Sequence, residues 1–341
     1  MVSCSYVLTK FIMPMKNSFS EPYFPWQQSS WDQLTQSVKS DRLAHAILLS
    51  GQSGLGKIHF VGSLSKFLLC DEPHENLACG HCQSCLLYEA GTHPDFKEVT
   101  PEDEKKNIKI DDVRKLCQQL SLTPQISSRK IAIIFPAENM NLASANSLLK
   151  TLEEPTPNTH LFLLAHRAEK LLPTIRSRCQ QMKMSLPTQQ QAISWLAQQA
   201  DVKKPEQLLL LSQQSPLTAL EFSRQNFISK RLEVLAELQQ VQRKQINPCV
   251  LAEKWQKIPS MTLLNWLYSF VADMIKIKST QNNHDLFNAD VSENLKAISE
   301  QLDLKQLYCH YDNVIEAIKL NDTQINSQMM IENMIVQWVL K

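Results

Sequence analysis

Gly51-Gln52-Ser53-Gly54-Leu55-Gly56-Lys57 carries the residue types of a phosphate cradle. Glycines let successive backbone N–H groups turn toward an anion, and a lysine ammonium reaches the terminal phosphates of a nucleotide. Hydrolysis at such a loop needs magnesium. A Ser or Thr hydroxyl directly after the lysine holds the ion from one side, and an acidic residue at the end of a later strand holds it from the other. Here the first position is Ile58, and the best later strand, Ile131 to Phe135, ends in Phe135-Pro136-Ala137. The nearest carboxylate, Glu138, lies three residues past that strand. A hydrocarbon does not ligate a hard cation. The expectation is therefore a degenerate P-loop (Gly51, Gly56, Lys57) kept for its shape and unable to hydrolyse ATP, while the retained Lys57 leaves nucleotide binding open.

A second constellation is Cys70, Cys79, Cys82 and Cys85, spaced C-x8-C-x2-C-x2-C. Four thiolates satisfy tetrahedral Zn²⁺, and Gly80 permits the tight turn between two ligands. No open coordination position is implied, so the ion is expected to be structural. His81 is the rival fourth ligand, ranked below Cys70. A nucleic-acid-binding finger is the other reading, but no basic and aromatic surface surrounds the cluster. The chain has nine cysteines, an odd number with five scattered, which does not describe a secreted disulfide framework.

These groups need elements to position them. Ala46 to Ser50, Asp95 to Val99, Ile131 to Phe135, Leu161 to Ala165 and Gln180 to Met184 read as strands. Several are continuously apolar, as parallel strands covered on both faces are. Helical patterns lie between them at Gly56 to Leu69, Ile110 to Leu120 and Leu142 to Leu152. Strand and helix in alternation imply an α/β layer with a mainly parallel sheet. After Leu186-Pro187 the strand signal stops. Thr188 to Ala200, Pro205 to Ser212 and Pro216 to Ser223 read as short helices, two of them opened by proline in the first turn. Longer helices follow at Ser229 to Gln242, Met261 to Lys278, Ser292 to Gln301, Leu304 to Leu320 and Asn326 to Leu340.

Composition bounds the rest. With 341 residues, two or three domains are expected. Hydrophobic residues at 43% exclude general disorder, and a net charge of +1 argues against attachment to nucleic acid or membrane by bulk charge. Only 6 glycines occur, far below the usual ~7%, which fits a helix-rich chain and makes the Gly51–Gly56 cluster informative. No run approaches the ~20 apolar residues of a membrane span, and Met1 to Phe19 lacks a signal-peptide pattern. A cytoplasmic location is expected.

Leu148-Leu149-Lys150-Thr151-Leu152-Glu153-Glu154-Pro155, an apolar strand, and then Ile175-Arg176-Ser177-Arg178-Cys179 resemble the clamp-loader branch of the AAA+ proteins. The cysteine knuckle after the first helix, followed by Gly91-Thr92-His93-Pro94-Asp95, is a second match. The likeness is specific from about Tyr23 through Leu186 and beyond that rests mostly on domain texture. The resemblance implies an α/β AAA+ domain with parallel sheet and zinc knuckle (22–186), a small helical lid (187–227) and an all-α collar for oligomerisation (228–341), after an extension at 1–21. It also implies a subunit of the bacterial DNA polymerase III clamp loader, without ATPase or polymerase activity of its own. Its partners would be ATP-hydrolysing loader subunits, a clamp-opening delta-type subunit, the sliding clamp, and primer-template DNA through the assembly. Arg178 would act in trans as an arginine finger on a neighbour's ATP, since a guanidinium stays charged and grips phosphate oxygens with two donors.

Other readings stand beside these. Arg178 could be an ordinary surface ion-pair residue. An ATP-hydrolysing motor subunit is the alternative function, and a zinc-stabilised nucleic-acid module is a third. Glu153 and Glu154 are expected to be solvated or to orient an interface. Cys179 reads as a packed thiol, and His166, just after the fourth apolar run, as a residue for packing or hydrogen bonding.

Overall fold

The computed structural model describes residues 21–101, 107–200, 202–280, 286–320 and 327–339. The proposed extension at 1–21 lies, except for its last residue, outside the described residues. The chain divides into two compact units, with the boundary between Trp195 and Leu196.

The first unit is built on five parallel strands: β1 (Ala46–Ser50), β2 (Phe96–Val99), β3 (Lys130–Ile134), β4 (Thr159–Ala165) and β5 (Gln180–Lys183). Their order is β2-β3-β4-β1-β5. Pairing sets Ala46 against Leu161, Ile47 against Gln180, Lys130 against Thr159 and Phe96 against Ile131. Successive side chains alternate faces, so a strand covered on both sides needs apolar residues throughout. Ile47 and Leu49 enter one core with Ile131, Ile133, Phe162 and Leu164. Ala46 and Leu48 enter the opposite core with Ala132, Ile134, Leu161 and Leu163. This is the physical origin of the continuous apolar runs. On β5 only Met182 is buried, which suits an edge strand.

Helices α1 (Gln28–Lys39), α2 (Lys57–Leu69), α3 (Gln83–Glu89), α4 (Ile110–Leu120), α5 (Leu142–Glu153) and α6 (Pro173–Arg176) complete this unit. Trp31 and Leu34 of α1 and Phe60, Val61, Leu64 and Leu68 of α2 fill the first core. Val113 and Leu116 of α4, Leu148 and Leu152 of α5 and Ile175 of α6 fill the second.

The boundary between units falls within α7 (Gln189–Ala197), and the second unit is helical: α8 (Pro205–Leu211), α9 (Pro216–Arg224), α10 (Phe227–Gln242), α11 (Pro248–Trp255), α12 (Ser260–Thr280), α13 (Ser292–Glu300), α14 (Leu304–Leu320) and α15 (Ser327–Val339). Helix α12 packs on α13 and α14, and α11 packs on α15. A buried polar network pins residues 287–290 to this bundle. Asp273 accepts from the Phe287 and Asn288 backbone N–H groups and from Asn288 Nδ2, while the fully buried Arg231 donates to Asn288 Oδ1 and Asp290. Among the described residues, no helix is long and apolar enough to cross a membrane.

Candidate functional site

A parallel sheet brings its strand ends together, and the loop 51–57 follows the carboxyl end of β1. His166 follows β4, Phe135 follows β3, and the Met184 N–H closes on Ser50 O at 2.8 Å. The loop opens α2 through Gly56, whose φ of +82° is left-handed; a Cβ there would lie 2.5 Å from the Phe24 ring. Phe24 stacks on Trp26, both meet Trp195 edge-on, and Trp26 Nε1 and Gln27 Nε2 both donate to Leu55 O, at 3.0 and 2.8 Å. Every residue from Ser53 to Ile58 is buried.

Inside the loop, Lys57 turns back on its own backbone. Its Nζ donates to Gly51 O at 2.6 Å and Gln52 O at 2.9 Å, and meets His166 Nδ1 at 3.1 Å. Burial pulls its pKa down to about 7, against the attraction of Glu138. Burial, reinforced by Lys57, also holds His166 well below the usual imidazole range, so its ring is neutral. His166 thus makes the hydrogen bond expected of it.

Neither metal-holding position recovers a ligand from the fold. Ile58 and Phe135 share the same apolar core. Glu138 sits in the short turn Ala137–Asn139, where Oε1 accepts from the His166 and Arg167 N–H groups at 2.8 and 3.3 Å. Burial raises its pKa. Oε1 is committed to backbone donors at the end of β4, while Oε2 is buried without a hydrogen-bond partner.

Cys70, Cys79, Cys82 and Cys85 converge, with all four Sγ atoms within 4.8 Å of one another. Cys82 caps α3 by accepting from Cys85 N, and Cys79 N donates to Cys70 Sγ. The backbone N–H groups of His81 and Cys82 pull the Cys79 thiol down to about 6, while burial pushes Cys70 and Cys85 up. The group can hold a metal ion and does not include His81.

The knuckle is fastened by a network that sequence reasoning missed. Ser84 Oγ and Ser127 Oγ donate to Leu69 O at 2.6 and 2.9 Å, and His93 Nε2 lies 2.7 Å from Ser84 Oγ. His93 Nδ1 accepts from Asp95 N, so the proton is on Nε2 and faces the hydroxyl. Burial opposes the Asp95 carboxylate, but the Gln125, Ile126 and Ser127 N–H groups outweigh it and hold its pKa low. The Ser, His and Asp types suggest a triad, but Asp95 is spent on backbone donors and the group is fully buried. It joins the cysteine cluster, through Leu69 O, to the loop at Gln125 to Ser127 and to the start of β2.

Arg178 lies at the other end of the sheet. It precedes β5, follows α6, and is half-buried. Nη2 meets Glu153 Oε1 at 2.5 Å and Nη1 donates to Thr174 O at 3.0 Å. Cys179 is buried, and burial raises its pKa to about 11, as a packed thiol requires.

The family described as "DNA polymerase III, delta subunit" matches residues 26–188, and "DNA polymerase III, delta subunit, C terminal" matches 225–339. The chain is similar to the DNA polymerase III subunit delta' of Pseudomonas aeruginosa, at 34% identity over 92% of this chain and 97% of that one. The Escherichia coli K12 protein of the same name is 29% identical, over 92% and 95%. The Haemophilus influenzae one is 32% identical, over 82% and 84%. Among solved structures, a Thermotoga maritima DNA polymerase III gamma subunit-related protein superposes with a TM-score of 0.45 and 19% identity, over 90% of this chain and 97% of that one.

Because folding disfavours the proton on Lys57, the unfolded chain binds more protons between about pH 7 and the ordinary lysine range. The stability this group contributes is therefore present at high pH and is lost as pH falls through about 7. Urea denaturation of wild type and Lys57→Met is expected to show the difference moving in favour of wild type as pH rises from about 7 to about 9, by up to about 1.4 kcal/mol per pH unit. A difference independent of pH contradicts this environment for Lys57.

Proposed function

The chain belongs to the delta' family of DNA polymerase III subunits, and from that membership we propose that it is a non-hydrolysing subunit of the clamp loader. In this reading it helps to place the sliding clamp on primed DNA and lends Arg178 to the ATP site of a neighbouring subunit. The expected partners are ATP-hydrolysing loader subunits, a delta-type clamp opener, the clamp, and primer-template DNA through the assembly, all in the cytoplasm. The division into an AAA+ domain at 22–186, a lid at 187–227 and a collar at 228–341 is part of the same proposal.

The geometry allows the finger role only in trans, because Arg178 lies far from the chain's own cradle. Met184 aligns with the end of β1 beside Gly51, and Arg178 precedes Met184 by six positions along the β5 direction. At about 3.3 Å per residue the two ends are roughly 20 Å apart. A guanidinium at the amino end of the sheet does not serve a nucleotide at the carboxyl end, so any phosphate it grips belongs to another chain. The Glu153 contact also fits an ordinary surface ion pair. The Ser177-Arg178-Cys179 context and the family are what favour the finger.

The non-hydrolysing character is supported by the apolar surroundings of Ile58 and Phe135 and by the engagement of Lys57 with its own loop. A motor subunit would need both metal ligands replaced from elsewhere, and Glu138 has one oxygen held by the backbone at the end of β4.

For the cysteine cluster the proposed ion is zinc. Zn–S bonds of ~2.3 Å give a tetrahedron with edges of ~3.8 Å, and the Sγ separations of 3.5, 3.9 and 4.0 Å between Cys70 and Cys79, Cys70 and Cys82, and Cys79 and Cys85 suit it. The ion would cross-link the knuckle and take no part in a reaction. Metal analysis of the purified chain is expected to find about one zinc per chain, lost in Cys82→Ala; a zinc-free folded chain contradicts the assignment.

Arg178→Ala in the reconstituted loader is expected to leave assembly intact and to slow DNA-stimulated hydrolysis at the adjoining site, on the order of a thousandfold as for arginine fingers supplied in trans. Unchanged hydrolysis at that site removes the finger role.

A further inference from the structure

Glu153 is the last residue of α5, whose Leu148 and Leu152 are buried in the sheet's second core. At Glu154 the backbone leaves the helix, with φ −124° and ψ 73°, and Pro155 prevents its return. The carboxylate therefore projects from a firmly packed terminus. Opposite it, Ile175 anchors α6 in the same core, the Arg178 N–H donates to Ile175 O, and the next residue, Cys179, is buried. The backbone on both sides is held, but an arginine side chain keeps about 2 kcal/mol of rotamer entropy of its own. Two contacts restrain it: Glu153 Oε1 on Nη2 and Thr174 O on Nη1.

We infer that Glu153 is a positioning residue for Arg178, holding one edge of the guanidinium so that its remaining donors face a phosphate brought by a neighbouring chain. This rests on the finger reading given above. Each terminal nitrogen spends one N–H on this chain, and three of the five guanidinium donors are left for a ligand. The pair is a poor stabilising device, because its partners are 35% and 50% exposed and such pairs contribute little to folding. What it supplies is direction. Phosphoryl transfer rewards that, because a charge misplaced by an ångström loses most of its effect on the transition state. The carboxylate also weakens the net positive charge of the fingertip, so if charge alone mattered, both removing it and neutralising it would raise turnover.

The test uses the reconstituted loader with ATP and primed DNA, comparing single-turnover hydrolysis at the adjoining site for Glu153→Gln, Glu153→Ala, Arg178→Ala and the double variants. Glu153→Gln preserves the shape at a half-exposed helix end, so folding is kept. Both Glu153 variants are expected to lower kcat on the order of ten-fold with KM for ATP unchanged. In the Arg178→Ala background the same substitutions are expected to have no further effect, because Glu153 acts only through that guanidinium. A rise in turnover, no change, or an equal loss with and without Arg178 overturns the positioning role. If Arg178→Ala itself has no effect, the finger reading fails first and this inference falls with it.

Discussion

A parallel sheet has two chemically unlike ends, and that polarity governs this molecule. Because β1, β4 and β5 all run the same way, whatever follows a strand collects at one edge and whatever precedes it collects at the other. The glycine loop, His166 and Phe135 are on the first edge. Glu153 and Arg178 are on the second, with His45 beside them bonded to Leu152 O. No rearrangement of side chains exchanges these positions without breaking the strand pairing.

At the first edge the cradle keeps its form. Its glycine geometry remains, enforced by Phe24 against Gly56 and by two side-chain donors on Leu55 O. Lys57 satisfies the carbonyls of the loop from inside, which keeps a buried amine paired. The groups that would hold magnesium have become core. Ile58 and Phe135 contribute to the packing that positions α2 over the sheet. The cysteine cluster serves the same end. Through Ser84, His93 and Ser127 it is bound to Leu69 O at the end of α2, which makes the knuckle an extension of that helix.

Much of this was legible in the sequence. The three central strands announced themselves because both faces of the sheet are covered there, so Ala46 to Leu49 and Ile131 to Ile134 could not alternate. The C-x2-C spacing and Ile58 after Lys57 were equally plain, since each depends on neighbours in the chain. Helix α1 was missed although Trp31, Leu34 and Thr35 mark one face, because its remaining surface is polar and glutamine-rich. Helix α11 was missed despite the Asn247 cap and Pro248, a start signal followed by only two turns. The Arg231–Asp290 and Asp273–Asn288 contacts, the Ser84–His93–Ser127 network and the Glu153–Arg178 pair were not legible at all. Each joins residues brought together only by tertiary packing, and no periodicity records which polar side chains will meet.

The central claim is that this polypeptide does not position magnesium for itself. It is tested most directly by incubating the pure, solitary chain with ATP and magnesium and measuring phosphate release. The account predicts release no faster from wild type than from Lys57→Ala. Sustained hydrolysis by wild type that Lys57→Ala abolishes would contradict it.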